Sequence, residues 1–381
     1  MSGFQGHEYQ VGAQLVLDDY GRLLPAENKF PSAAHGAGFK RLADYVHARG
    51  LKFGIHIMRG IPRQAVAGNL PIRGTSYHAR DIADTTNDCR WNPDMWGVDV
   101  SRPGGQAYYD AIAALYAAWG VDFVKADDMG DHKFQPAEIA ALRRALDRTG
   151  RPIVLSISPG PAPLEQAAFF VDHAQMWRIS DDFWDDWKLV RKQFDYTRDW
   201  AAHVGTRHTW PDADMLPLGR LRLTDSAGVG SPTHLTADEQ RTVMTLWSIF
   251  RSPLIMGGDL PSMDSATRAL LTNPEVIAVD QQGRAPRQVL ERPGLRVWSA
   301  HAPGGTDRYL AVFNLSDLPR AIDLAWGEVG LGGGTLAVRD LWGRRSLGVH
   351  PRLQLALLAH GSALFRVGRP AVTVTSTKAT H

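Results

Sequence analysis

The segment WGVDFVKADDMG (119–130) closes an apolar run on Lys125, Asp127 and Asp128. Unpaired charge is costly to bury, so a strand that ends this way presents those groups to a ligand or to one another. Side chains alternate along a strand, which sends Lys125 and Asp127 to one side and Asp128 to the other or into the loop. A lysine beside a carboxylate keeps it ionised, as a nucleophile requires; a structural ion pair is the competing account. A second cluster, MWRISDDFWDDW (176–187), holds Trp177, Arg178, Asp181 and Asp182, with Asp185 and Asp186 close behind. Two carboxyl groups about 5–5.5 Å apart, one ionised and one protonated, are what a retaining glycosidase needs. Crowded like charges raise the pKa of the most enclosed carboxyl. A solvated helix start capped by Asp181 or Asp182 is the alternative. The indoles favour the sugar chemistry: Trp177, Trp184 and Trp187 flank this turn, and Trp91 and Trp96 populate an earlier loop, where they would be platforms for the apolar face of a sugar.

Such groups need a scaffold that gathers strand ends. GLKFGIHIM (50–58), VDFVKAD (121–127), PIVLSIS (152–158), AQMWRISDD (174–182), TRHTWPDAD (206–214) and SPLIMGG (252–258) have the near-continuous hydrophobicity of parallel strands covered on both faces. Helical segments alternate with them: AYYDAIAALYAAWG stops at Gly120, and THLTADEQRTVMTLWSIF opens with Thr236 and Glu239 at capping-box spacing. Polar residues recur at the strand C-termini, which predicts an α/β fold of the (β/α)8 TIM-type barrel class over residues 1–285. From residue 286 to 368 short alternating strands separated by Gly, Pro and Asp turns predict an antiparallel β-sandwich domain, and 369–381 reads as a disordered tail.

Composition excludes other classes. The chain has 381 residues, 44% hydrophobic and 22% charged, and a formal net charge of +2, too small to imply a nucleic-acid or anionic-membrane partner. A single cysteine, Cys89, rules out an internal disulfide or a Cys-based zinc cluster. No membrane span, HExxH motif, P-loop or GxSxG elbow is present, so no metal or other cofactor is expected. The glycine run GLGGG (330–334) reads as a turn, and His301, His350 and His360 as solvated surface. The start MSGFQGHEYQVGAQ lacks the apolar centre of a signal peptide and points to a cytoplasmic chain, unless the true start lies upstream. A carbohydrate is the expected partner, and a homo-oligomer is compatible with the composition.

The motifs KFPSAAHGAGFKRLADYVHARGLKFGIH, AAWGVDFVKADD, MWRISDD, WPDADML and NPEVIAVDQQG, in that order, resemble those of glycoside hydrolase family 27, the melibiase-type α-galactosidases and α-N-acetylgalactosaminidases. The resemblance covers about residues 15–285. It implies a double-displacement mechanism with Asp127 as nucleophile and Asp182 as acid/base. It also implies Lys125 and Arg178 as donors to sugar hydroxyls, Asp214 and Met215 at the barrel mouth, and His56 where the family has a tyrosine lining the pocket. Terminal α-D-galactosyl residues are the implied substrate.

Several features depart from the family. Met129 lies in the region of a disulfide-bonded family cysteine, and SISPGPAP lacks the residues that contact the sugar 2-position, leaving Ser158 and Pro161 as a small pair with room for an N-acetyl group. Before GLKFGIHIM, which matches the third barrel strand, no convincing first or second strand appears. That predicts an N-terminally incomplete barrel, with Asp18 and Asp19 of LVLDDYG standing outside the sugar site. Alternatives are a related clan enzyme acting on β-L-arabinopyranosides or α-glucans, and a carbohydrate-binding remnant without turnover.

Overall fold

The computed structural model describes residues 14–370 except Arg90, His132 and 224–228. The tail expected over 369–381 lies outside the described residues from 371 on. The described chain divides into two compact units, one running to Asp181 with Arg207–Thr209 added, the other comprising Asp182–Thr206 and the chain from Trp210.

In the first unit four parallel strands lie in the order Gly54–Met58, Phe123–Asp127, Val154–Ile157, Met176–Arg178. They match four of the predicted strands, each shorter at its start. Helices Lys40–His47, Pro103–Trp119, Pro136–Arg148 and Ala167–His173 precede them in turn. Val124, Ala126, Leu155 and Ile157 are completely buried, as strands covered on both faces must be. Helix Pro103–Trp119 buries Tyr109, Ile112, Tyr116 and Trp119 at helical spacing. It ends at Gly120, whose φ of 81° is the left-handed cap that glycine adopts without a Cβ clash.

The parallel ladder in this unit begins at Gly54, and residues 15–23 form an isolated antiparallel bridge, Leu17 with Leu23. Asp18 is tied into that turn by Arg22 at 2.6 Å. Between Arg59 and Val100 the chain folds a small antiparallel sheet of Ile61–Pro62, Met95–Val98 and Ala83–Asp88.

The second unit carries the short strand Trp210–Asp212 and a parallel bridge of Leu216 with Met256, to which the predicted strand SPLIMGG reduces. The predicted capping box is present: Thr236 Oγ1 accepts the Glu239 N–H at 3.3 Å, and Glu239 Oε2 accepts the Thr236 N–H at 2.8 Å. From Arg284 onward the strands are antiparallel. Six form one sheet in the order Arg284–Arg292, Leu295–His301, Arg308–Asn314, Ser362–Gly368, Leu336–Asp340, Arg345–His350. Arg320–Ala325 and Arg352–Leu357 form the other. Val297, Leu310, Val312 and Phe365 of the first pack with Ile322, Leu324 and Leu353 of the second in one apolar core, the arrangement of a β-sandwich. Strand Arg345–His350 was absent from the expectation because all six of its residues are exposed, so it carries no alternation.

His360 is not solvated surface. Its Nδ1 lies 2.6 Å from Glu239 Oε1, its Nε2 lies 2.8 Å from Asp317 Oδ1, and its ring stacks on Trp187 at 3.9 Å. The Thr242 hydroxyl donates to its carbonyl at 2.7 Å. The imidazole thus ties a sandwich turn to the start of helix Ala237–Phe250. His360→Ala removes two hydrogen bonds to charged groups and a stacking partner, and is expected to cost about 1–3 kcal/mol of stability. Thermal denaturation checks this; an unchanged Tm would remove the role. Among the described residues no helix is long and apolar enough to cross a membrane, and no group of His, Cys, Asp or Glu is placed to hold a metal ion.

Candidate active site

Asp127 is the last residue of its strand and opposes Met58, while Lys125 opposes His56 and Ser156. The burial pattern alternates, with Val124 and Ala126 buried and Lys125 and Asp127 on the more open side, as predicted. The Asp127 carboxylate is held from three directions. The Ser158 hydroxyl donates to Oδ1 at 3.1 Å, the Asp128 N–H donates to Oδ1 at 3.0 Å, and His56 Nε2 lies 3.3 Å from Oδ2. Burial alone would raise its pKa, but the hydrogen bond and charge of His56, with the Asp128 N–H and Ser158 hydroxyl, hold the carboxyl below the usual aspartate value.

The stabilising partner therefore differs from the expectation: the side chain of a basic residue that reaches the Asp127 carboxylate among the described residues is the His56 imidazole, not Lys125. His56 comes from the neighbouring strand, two residues before Met58, and only the parallel register brings it there. Ser158, expected to leave room beside the sugar, is 2% exposed and acts as a donor to Asp127.

A depressed carboxyl pKa has a definite sign. The anion's contribution is present above the unfolded value and is lost as pH falls through the lower folded value. Activity that requires ionised Asp127 should persist to below the ordinary aspartate range, and His56→Ala should move the acid limb of the kcat/KM profile to higher pH. An acid limb unmoved in the His56→Ala variant would show that another group controls it.

Arg178 ends its strand with 3% exposure, and its Nη2 donates to the Ser180 carbonyl at 3.3 Å. Trp177 is fully buried and stacks on Phe170 at 5.6 Å, so it is a core side chain rather than a sugar platform. The most exposed indoles are Trp91 and Trp184, 42% and 41% exposed, with the Arg222 guanidinium over the Trp184 ring at 5.5 Å.

In the second unit Asp182 is exposed, followed by buried Phe183. The cap of helix Trp187–Trp200 is Asp186, which accepts the Lys188 N–H at 2.8 Å, so neither Asp181 nor Asp182 fills that role. Charge crowding is also relieved. Asp185 is buried, pairs with Arg222 and accepts the His234 N–H at 2.6 Å. These contacts outweigh burial and hold its carboxyl below the usual value. Asp214 is 6% exposed; its Oδ2 accepts the Phe183 N–H at 2.8 Å and its carbonyl accepts Trp247 Nε1 at 2.8 Å. It fixes the backbone next to Asp182, a role that spacing did not reveal. Met215 follows it, packed so closely on Gly257 that a Cβ there would lie 2.5 Å from the sulfur.

The family model described as alpha galactosidase A matches residues 100–282, and the one described as alpha galactosidase C-terminal beta sandwich domain matches 293–367. A GH27 β-L-arabinopyranosidase from Geobacillus stearothermophilus has 48% identity and a TM-score of 0.94, covering 98% of this chain and 87% of that one. Alpha-galactosidase 3 of Arabidopsis thaliana is 30% identical over 338 residues, 87% of this chain and 64% of its own length. The alpha-N-acetylgalactosaminidase of Gallus gallus is 30% identical over 273 residues, 69% of this chain and 55% of its own. An α/β barrel-type domain followed by this β-sandwich defines the class as a glycoside hydrolase. The chain belongs to glycoside hydrolase family 27.

Proposed function

We propose that the chain is a retaining glycosidase acting on terminal sugars of galacto-like configuration, with β-L-arabinopyranosides preferred over α-D-galactosides. The observation that carries the preference is the 48% identity to the Geobacillus β-L-arabinopyranosidase across 98% of this chain, against 27–30% to curated α-galactosidases. The two sugars present the same ring hydroxyls and the same anomeric geometry; β-L-arabinopyranose lacks only the hydroxymethyl group. Asp127 attacks the anomeric carbon while protonated Asp182 donates to the departing oxygen; Asp182 then takes a proton from the water that releases the sugar. His56, Ser158 and the Asp128 N–H keep Asp127 anionic for the first step. Lys125 and Arg178 bind ring hydroxyls, and no cofactor takes part. Hydrolysis of the nitrophenyl β-L-arabinopyranoside and α-D-galactopyranoside, compared by kcat/KM, tests the reading.

A second reading, α-galactosidase, is supported by the run of curated plant α-galactosidases among the relatives. The same pair of substrates distinguishes it.

A further inference from the structure

Behind Asp127 lies a buried ion network that nucleophilic attack by itself does not require. The side chains of Arg59 and Asp128 are each 1% exposed and that of Glu138 4%. Arg59 Nη2 donates to Asp128 Oδ2 at 2.7 Å, and Nε donates to the same oxygen at 3.0 Å and to the Asp128 carbonyl at 2.9 Å. Nη1 donates to Glu138 Oε1 at 2.8 Å and Nη2 to Asn87 Oδ1 at 3.1 Å. The other Glu138 oxygen accepts the Tyr109 hydroxyl at 2.6 Å and the Val98 N–H at 3.1 Å. The Arg59 backbone N–H in turn donates to the Asp127 carbonyl at 3.1 Å. Arg59 thus grips residues 127 and 128 with both main chain and side chain.

Burying three charges is expensive, and a well-packed apolar cluster would hold a strand end at least as well. The conformation of Asp128 supplies a reason for the network. Its φ is +61°, the left-handed region that a residue with a Cβ rarely adopts. In that conformation its N–H donates to Asp127 Oδ1 at 3.0 Å. The clamp from Arg59 holds the strained turn, and the turn holds the carboxylate.

We propose that Asp128, clamped by Arg59, is a positioning residue that aims and immobilises the Asp127 carboxylate. This rests on Asp127 being the nucleophile. Misplacing a reacting group by about 1 Å can cost on the order of 100-fold in rate. Asp128→Asn should therefore lower kcat by about 10–100-fold while KM stays within about 3-fold, the signature of an interaction felt at the transition state. Asp128→Gly, which tolerates the left-handed φ and loses the carboxylate contacts of the clamp, should show the same split and guards against a folding defect in the first variant.

The deciding measurement is a double-mutant cycle with Asp127→Gly, assayed with azide as external nucleophile. With no carboxylate left to position, adding Asp128→Asn should cost less than about 3-fold. A penalty that persists undiminished in the Asp127→Gly background, or an unchanged kcat in both Asp128 single variants, would overturn the positioning role. Near-normal turnover of Asp127→Gly without azide would instead overturn the nucleophile assignment itself, so the two failures are distinct.

Discussion

Asp127→Gly is expected to lower kcat/KM by about 10⁴-fold or more on the preferred nitrophenyl glycoside, with the fold intact by circular dichroism. The residue is half-enclosed, fixed by Ser158, His56 and the Asp128 N–H, and held anionic. Removing it leaves a space in which a small anion can attack the anomeric carbon directly, so azide should restore turnover and give a glycosyl azide of inverted configuration. Asp182→Ala should behave differently. A poor leaving group needs its proton and should lose several orders of magnitude, whereas an activated dinitrophenyl glycoside should lose far less. Azide then intercepts the glycosyl-enzyme and yields the retained product. Products of like configuration from both variants would contradict the division of roles, and normal turnover in either would remove that residue from catalysis.

The second large effect is in substrate choice. If the pocket is closed around a sugar without a hydroxymethyl group, the α-D-galactoside must force an additional carbon and hydroxyl into a packed wall. One such group is worth about 10–200-fold in kcat/KM for a hydrophobic pocket, and the nitrophenyl β-L-arabinopyranoside should lead by that ratio. The penalty should fall on kcat/KM for the galactoside rather than on its leaving-group dependence, because the chemistry at the anomeric carbon is shared. A galactoside preference of any size would favour the second reading, and failure to cleave either would sink both readings. The Ser158 hydroxyl donates to Asp127, and cleavage of the nitrophenyl α-N-acetylgalactosaminide reads whether the same small side chain also leaves room for an N-acetyl group.

Much of the scaffold was legible. The strands at 54–58, 123–127, 154–157 and 176–178 and the helices between them announced themselves because doubly covered strands are continuous apolar runs and helices bury one stripe. Thr236 and Glu239 were legible for a local reason: the capping box is closed within four residues. The edge strand Arg345–His350 was not, since solvent on every residue leaves no pattern. Trp177 was misread as a sugar platform because a tryptophan near a strand end has the same letter whether its ring faces solvent or Phe170.

By itself the sequence determined the order of four parallel strands and the helices between them, the two aspartates that carry the proposed chemistry, and the alternation that separates Asp127 from Asp128. Those are properties of local periodicity and of residue type. Tertiary structure decided which groups surround them. His56 reaches Asp127 through a strand register offset by 69 residues, the separation of the adjoining Arg59–Asp128 pair, Ser158 arrives from just beyond a third strand, and Asp214 secures Phe183 from 31 residues away. Partners at such separations are chosen by the packing of the whole unit, and no spacing along the chain encodes them. That is why Lys125, the nearest cation in sequence, was expected to hold the carboxylate that His56 holds in space.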